Sequence, residues 1–267
     1  MINKFLLTAG CGFLFSLSIT CAKINDIATD LMISDEDEVK LGTQYKDRIE
    51  ADTAEYPLYT AKTNYHQNLV NYIDSIGRNI VNHQDDRTGI DFSFKIINND
   101  SVVNAFAVPG GFVYVYTGLI INARNEAEIA GVLAHEISHV AKRHGAKQMV
   151  KQYGIGMLLD VVVGDSSAIR TVIDLSSGLL FLKYGRDNEF EADSCAVEYL
   201  IASGYNPSGM KTFLETLASL GNASPKLLEF MSTHPNTTDR IAAVDKLIEG
   251  TSSEVRNRAI PELKYAP

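Results

Sequence analysis

The chain has 267 residues, of which 45% are hydrophobic and 21% charged, enough for one globular domain with a small extension. Its formal net charge is −9 and it contains no block of Lys and Arg. This excludes a nucleic-acid footprint and a basic membrane-surface stripe.

Residues 1–22 read as a secretory signal peptide, because Lys4 is the only early charge and residues 5–20 are apolar or small. Two cleavage sites fit. An ordinary signal peptidase would recognise Thr20-Cys21-Ala22, whereas a lipoprotein signal would leave Cys21 as the lipidated first residue. In either case Cys195 is the one remaining thiol, so no internal disulfide is expected.

Two helices and a small sheet are predicted next. Helices are expected over 35–52, capped by Ser34, and over 65–82. A strand over 91–97 has the period of a half-buried strand. Pro109-Gly110-Gly111 then separates two β-rich runs within 102–119. A strand of this sheet is either part of an ordinary core hairpin or an edge with which an extended peptide can pair.

The segment 125–145 reads as one buried helix, capped by Asn125 and stopped by Gly145. His135 and His139 are four residues apart, so both can direct a nitrogen at one zinc ion. Glu136 would lie beside the metal as a general base. A chance match on an amphipathic helix is the alternative, and a third ligand is needed.

The region 148–184 is apolar but interrupted, and it predicts two helices joined near 164–167. They form either a mobile cover over the cleft or more of the core; a re-entrant membrane segment is less favoured.

Glu189 and Asp193 lie four residues apart in the next predicted helix, 186–204. Glu189 could complete a zinc site with two His and one Glu ligand, leaving a position for water. Asp193 could accept a hydrogen bond from the non-ligating nitrogen of a zinc-bound histidine. Glu191 would point elsewhere, into solvent.

Two further helices are predicted, from 206 to about 220 and over 239–249, and the residues after Gly250 are expected to fray. His234 precedes the last helix. It is either a surface residue, an oxyanion-binding group in the cleft, or the occupant of the open zinc position.

Three motifs together resemble a known family: HEISH at 135–139, EFEAD at 189–193, and His234-Pro235 with Arg240. They are similar to the gluzincins that include the CAAX prenyl protease and the heat-shock protease HtpX. The upstream run NAFAVPGG at 104–111 is similar to the exported, non-spanning bacterial branch.

The resemblance implies a mainly helical α+β, zincin-like metalloprotease domain, with a small β-sheet beside the HExxH helix, over residues 23–250. Residues 251–267 form a C-terminal tail. It implies one Zn²⁺ per chain on His135, His139 and Glu189, and Glu136 as the catalytic glutamate. It also places His234 and Arg240 near the cleft, contacting the transition state or holding the site closed. It further implies that the strand Ala105–Val108 docks the substrate backbone.

The expected function is that of a zinc metalloendopeptidase of the bacterial cell envelope, acting in protein quality control. Its substrates would be polypeptides such as misfolded envelope proteins, and its location the periplasm or, as a lipoprotein, the outer membrane. Membrane contact is expected only through a lipid anchor at Cys21. The alternative is a chaperone-like or binding protein whose zinc site is blocked by its own His234.

Overall fold

A computed structural model describes residues 24–175, 183–220, 233–235 and 237–267. The predicted signal peptide with Cys21, and residues 176–182 of the predicted helix pair, lie outside these ranges. The elements, in chain order, are α1 24–32, α2 Asp35–Ala51, α3 Asn64–Val81, β1 Ser93–Ile97, β2 Ala105–Val108, β3 Phe112–Tyr116, α4 Thr117–Asn122, α5 Glu126–Ala141, α6 His144–Tyr153, α7 Ile155–Val162, α8 Ser166–Leu175, α9 Arg186–Ala202, α10 Ser208–Leu220, α11 Thr237–Glu249 and α12 Ser253–Arg256.

The three strands form one mixed sheet in the order β1-β3-β2. β2 and β3 are antiparallel around the Pro109-Gly110-Gly111 turn, whereas β1 and β3 are parallel. Successive side chains leave opposite faces of a strand. One face, which includes Ala105 and Val113, packs into the core shared with α3 and α5. The other, which includes Phe106 and Tyr114, packs into the core shared with α2, α7 and α8.

Helix α5 lies inside the molecule, and every residue from Glu126 to Ala141 is buried. It packs against α9, α10, α3 and β2. The predicted mainly helical α+β fold, with a small sheet beside the HExxH helix, is therefore confirmed. Within the described residues, no helix combines the length and the apolar character needed to cross a membrane.

The end of α5 differs from the prediction. The helix stops at Ala141, and Arg143 adopts the left-handed conformation with φ 62°, so Gly145 lies inside α6 instead of stopping α5. The Arg143 side chain explains the early stop. Its Nε donates to Glu38 at 2.9 Å and its Nη2 donates to the carbonyl of Ile33. Arg87 also donates to Glu38, at 2.8 Å, and to the last-turn carbonyl of Val140, at 3.0 Å.

The region 148–184 was predicted as two helices, but its described part contains the end of α6, then α7 and α8. Gly154 and Gly164, both with positive φ, mark the breaks. Leu158 of α7 and Val172 of α8 are fully buried in the core shared with α2. The buried side chains of α7 and α8 therefore belong to the core.

The segment after Gly250 packs on the domain, although fraying was expected. Leu263 and Tyr265 pack against the main core. The carbonyl of Pro261 accepts a hydrogen bond from the backbone N–H of Glu126, at the start of α5. The tail thus satisfies a backbone N–H group at the amino end of α5.

Candidate metal centre

Helix α5 supplies the first two candidate ligands. His135 and His139 are one turn apart, and their Nε2 atoms lie 3.0 Å from each other. Both side chains are essentially excluded from solvent. Burial holds the pKa of His139 well below its usual value, so this imidazole is neutral at neutral pH, the form that binds a metal ion.

Helix α9 brings Glu189 to the same point. Its Oε2 lies 3.6 Å from Nε2 of His135, and its Oε1 lies 3.6 Å from Nε2 of His139. Glu189 is fully buried in the first turn of its helix. A carboxylate in an exposed first turn commonly compensates the helix dipole, but a buried one facing two imidazoles has a more specific partner.

His234 is the fourth member of the cluster, and it is 1% exposed, which excludes the surface alternative. Its Nδ1 lies 3.3 Å from Nε2 of His135 and 3.0 Å from Oε1 of Glu189. Its Nε2 lies 3.5 Å from Oε1 of Glu136. His234 therefore stands between the three predicted ligands and the predicted general base.

The spacing of these atoms fits a zinc ion. One ligand atom from each of His135, His139, Glu189 and His234 lies within 4.8 Å of all the others. Ligands at 2.0–2.1 Å from a tetrahedral zinc are about 3.4 Å apart, and the separations of 3.0–3.6 Å scatter around that value. The mixed nitrogen and oxygen set is also one that zinc accepts.

Glu136 is buried beside the cluster. Its carboxylate is 1% exposed, and its Oε1 accepts no hydrogen bond from the described residues, although Nε2 of His234 lies 3.5 Å away. A buried carboxylate oxygen without a hydrogen bond is rare and calls for a functional explanation. Burial raises the pKa of Glu136, the direction that suits a group that both accepts and returns a proton.

Asp193 and Arg240 contact three members of the cluster, His135, Glu189 and His234. Nε and Nη2 of Arg240 donate to the two oxygens of Asp193, both at 2.7 Å. Oδ1 of Asp193 lies 3.0 Å from Nδ1 of His135, the ring nitrogen that faces away from the cluster. Nη1 of Arg240 contacts Oε2 of Glu189 at 2.6 Å and donates to the carbonyl of His234 at 3.3 Å. These contacts favour a role in holding the site together.

The predicted substrate strand lies at the edge of the sheet, because β2 pairs with β3 and is last in the strand order. Its four residues are no more than 3% exposed. Asn104, which precedes it, is fully buried, and neither side-chain polar atom has a partner among the described residues. The substrate role of Ala105, Phe106, Ala107 and Val108 stays a prediction.

The sequence patterns missed three residues around His139. Tyr184 stacks on its ring, with centroids 3.9 Å apart and an interplanar angle of 14°. Nδ1 of His144 lies 2.8 Å from Nδ1 of His139, and Nε2 of His144 lies 3.2 Å from Oε2 of Glu191. Glu191 is half exposed, as its predicted outward direction suggests, but it is not purely solvated.

Comparisons of the sequence with known proteins give a family and several relatives. The sequence model of "Peptidase family M48" matches residues 69–248. The beta-barrel assembly-enhancing protease of Escherichia coli K12 is 35% identical over 185 residues, which cover 65% of this chain and 38% of that protein. The metalloprotease YcaL of the same strain is 31% identical over 192 residues, which cover 70% of this chain and 71% of YcaL.

A more distant organism also has a relative. The mitochondrial metalloendopeptidase OMA1 of Arabidopsis thaliana is 33% identical over 152 residues, or 57% of this chain and 30% of that protein. The chain spans about two fifths of the length of the beta-barrel assembly-enhancing proteases that it matches.

Proposed function

Because the chain belongs to peptidase family M48, we propose that it is a zinc-dependent endopeptidase with Glu136 as its general base. The observation that carries this proposal is the convergence of His135, His139 and Glu189, from two separate helices, beside Glu136, whose Oε1 accepts no hydrogen bond from the described residues. When bound, zinc polarises the scissile carbonyl and lowers the pKa of water to about 7.

The protein's own groups carry the proton transfers. Oε1 of Glu136 is free of hydrogen bonds to the described residues, so it can take a proton from the attacking water. Glu136 then returns that proton to the nitrogen of the leaving amine. Asp193 and Arg240 keep the His135 ring oriented during this cycle, because they fix its outer nitrogen.

Glu136→Gln tests this assignment. The amide keeps the volume and loses the basic oxygen, so we expect wild-type zinc content and cleavage of unfolded casein reduced by about 100- to 10,000-fold. The matched control is Glu198→Gln, because Glu198 is an exposed carboxylate on α9. Wild-type cleavage by the zinc-loaded Glu136→Gln protein would refute the mechanism.

The four-member cluster favours a second candidate function, a zinc protein whose active site is closed by His234. Structural zinc sites have four protein ligands, whereas catalytic sites keep one position open. His234 occupies the place where water is needed, and such a protein would bind unfolded chains without cutting them. The Nε2 of His234 also approaches Glu136, so the same residue would shield the base.

His234→Ala separates the candidates. A rise in casein cleavage identifies His234 as a plug that must leave before catalysis, and a loss identifies it as a catalytic group. Unchanged cleavage excludes both roles. The control is His83→Ala, because His83 is exposed and lies at the end of α3. X-ray absorption of the zinc-loaded wild type gives the number of histidine ligands independently.

The substrates that we propose are unfolded or misfolded polypeptides of the bacterial envelope, bound in extended form along β2. The N-terminal sequence pattern at 1–22 and the relatives named beta-barrel assembly-enhancing protease support this location. Lipid attachment at Cys21 belongs to the same proposal. Mass spectrometry of the mature N-terminus from membrane and soluble fractions distinguishes a lipidated Cys21 from the ordinary cleavage product.

A further inference from the structure

The two ligand histidines of α5 are held in different ways. His135 meets a carboxylate directly, through the contact of its Nδ1 with Asp193. At Nδ1 of His139 the described residues place no carboxylate; that nitrogen meets Nδ1 of His144 at 2.8 Å. The carboxylate lies one residue further out, because Nε2 of His144 faces Oε2 of Glu191 at 3.2 Å.

The proton positions along this chain follow from the ligand role of His139. If its Nε2 faces the metal with a lone pair, its Nδ1 must carry the proton and donate it. Nδ1 of His144 must then be the acceptor, so the proton of a neutral His144 is on Nε2. That N–H points at the Glu191 carboxylate. An ionised carboxylate has no proton to donate, so Glu191 is the acceptor. Each contact therefore has one donor and one acceptor in a single consistent arrangement.

We propose that His144 and Glu191 are positioning residues that fix His139 in the tautomer that binds zinc. The inference rests on the proposed zinc site and adds to it a relay through His144, a residue outside the three sequence motifs. His144 is 2% exposed and packs edge-on against His139, with ring centroids 4.9 Å apart, so it has little freedom to turn.

The relay also links the buried site to the surface. Glu191 is the exposed end, with 54% of its side chain accessible, and it lines a surface cavity of about 470 Å³ together with Lys147, Lys151 and Arg186. Water can replace an exposed carboxylate as a hydrogen-bond acceptor, but it cannot easily replace the buried His144. We therefore expect His144 substitutions to weaken zinc binding more than Glu191 substitutions.

The tautomer of His144 tests the proposal directly. Nitrogen-15 NMR of the zinc-loaded wild-type protein should show His144 as a neutral imidazole, protonated at Nε2 and unprotonated at Nδ1. His139 should show the opposite pattern, with its proton on Nδ1. A His144 ring protonated at Nδ1, alone or on both nitrogens, overturns the relay. A wild-type protein that takes up no zinc would instead refute the metal centre, so the two failures are distinguishable.

Zinc affinity, measured by competition with a chelator, gives a second readout. His144→Phe keeps an aromatic ring but removes the acceptor, and we expect it to weaken zinc binding by about 10- to 100-fold. His144→Asn places an amide oxygen near the position of Nδ1, so it should recover about tenfold of that loss. Glu198→Gln on the same helix should match the wild type. Equal zinc affinity in His144→Phe and wild type, with the zinc-free melting temperatures also equal, overturns the proposal.

Discussion

Arg240 is the largest fully buried side chain among the described residues. A buried guanidinium is tolerated only where carboxylates and carbonyls satisfy it, and here Asp193, Glu189 and the His234 carbonyl do so. One residue thus connects α11 to α9 and to the segment that carries His234. Its removal would affect both the fold and the metal cluster.

We predict that Arg240→Ala lowers the free energy of unfolding of the zinc-free protein by about 3–5 kcal/mol, because Asp193 is left buried without its partner. Urea denaturation measures this loss. Arg186→Ala is the control, since the Arg186–Asp239 pair is 60% and 55% exposed, and it should change stability by no more than about 1 kcal/mol. Similar losses in both variants would contradict this account.

Asn104 presents the opposite case, a buried amide without a described partner. Asn104→Leu keeps the branched shape and the number of side-chain heavy atoms and removes the unsatisfied polar atoms, so we predict unchanged or higher stability in urea. If the amide binds the substrate backbone, the same variant should raise KM for peptide cleavage. Asn206→Leu is the matched control. The Asn206 amide donates to the carbonyls of Arg256 and Arg258, so its loss should destabilise the protein by about 1–3 kcal/mol.

The junction between α5 and α6 sets the direction in which His144 enters the site. Arg143 has φ 62°, a conformation that costs an ordinary residue about 1–2 kcal/mol. Its contacts with Glu38 and Ile33 offset that cost. The chain therefore turns at a charged residue, and α6 begins at His144.

We predict that Arg143→Gly is more stable than Arg143→Ala by about 1 kcal/mol, although both lose the side-chain contacts, because glycine adopts positive φ without strain. Urea denaturation of the two variants measures the difference. The same pair of substitutions at Lys142, where φ is −87°, should not favour glycine. An advantage for glycine at both positions would show that the effect is not conformational.

Local sequence patterns predicted which site residues share a helix face and where α2 begins, but they misplaced the end of α5. Helical spacing placed His135 with His139 and Glu189 with Asp193, because residues four apart share a face. Ser34 begins α2 with the hydrogen bonds of a capping box. The end of α5 was wrong because long-range contacts from Glu38 and Arg87 override a nearby glycine. The His139–His144 contact depends on that turn, so the spacing of five residues gave no signal.

Local sequence patterns also could not predict the parallel pairing of β1 with β3. In the sequence β2 lies between these two strands, whereas in the sheet β3 lies between β1 and β2. The patterns indicated three strands and one hairpin. Their order depends on side chains that meet only in the folded core, such as Phe94 and Val113.

At the level of the whole molecule, the C-terminal segment is part of the domain. Tyr265 makes edge contacts with Tyr65 and Tyr72 of α3, with ring centroids 5.6 Å apart in each pair. The guanidinium of Arg258 donates to the carbonyl of Ile201, in the last turn of α9, and to that of Tyr205, just after the helix. The segment thereby links α3 with α5 and α9, the two helices that carry candidate metal ligands.

We predict that a chain ending at Gly250 has a melting temperature at least about 5 °C below that of the wild type, because several buried contacts are lost together. Differential scanning calorimetry of the zinc-free proteins measures the shift. A chain ending at Tyr265 is the control, since it keeps Leu263 and both tyrosine contacts. A melting temperature unchanged by the longer truncation would show that the tail contributes no stability.

The residues of the metal centre are far apart along the sequence: His135 and His139 come first, Glu189 follows, and His234 and Arg240 come last. During synthesis the chain emerges from its amino end, so the histidine pair on α5 is available long before Glu189, His234 and Arg240. If the proposed mechanism holds, hydrolysis requires a chain that has emerged at least as far as Arg240. A nascent copy would then be unable to cut its neighbours, or itself, while it is still unfolded.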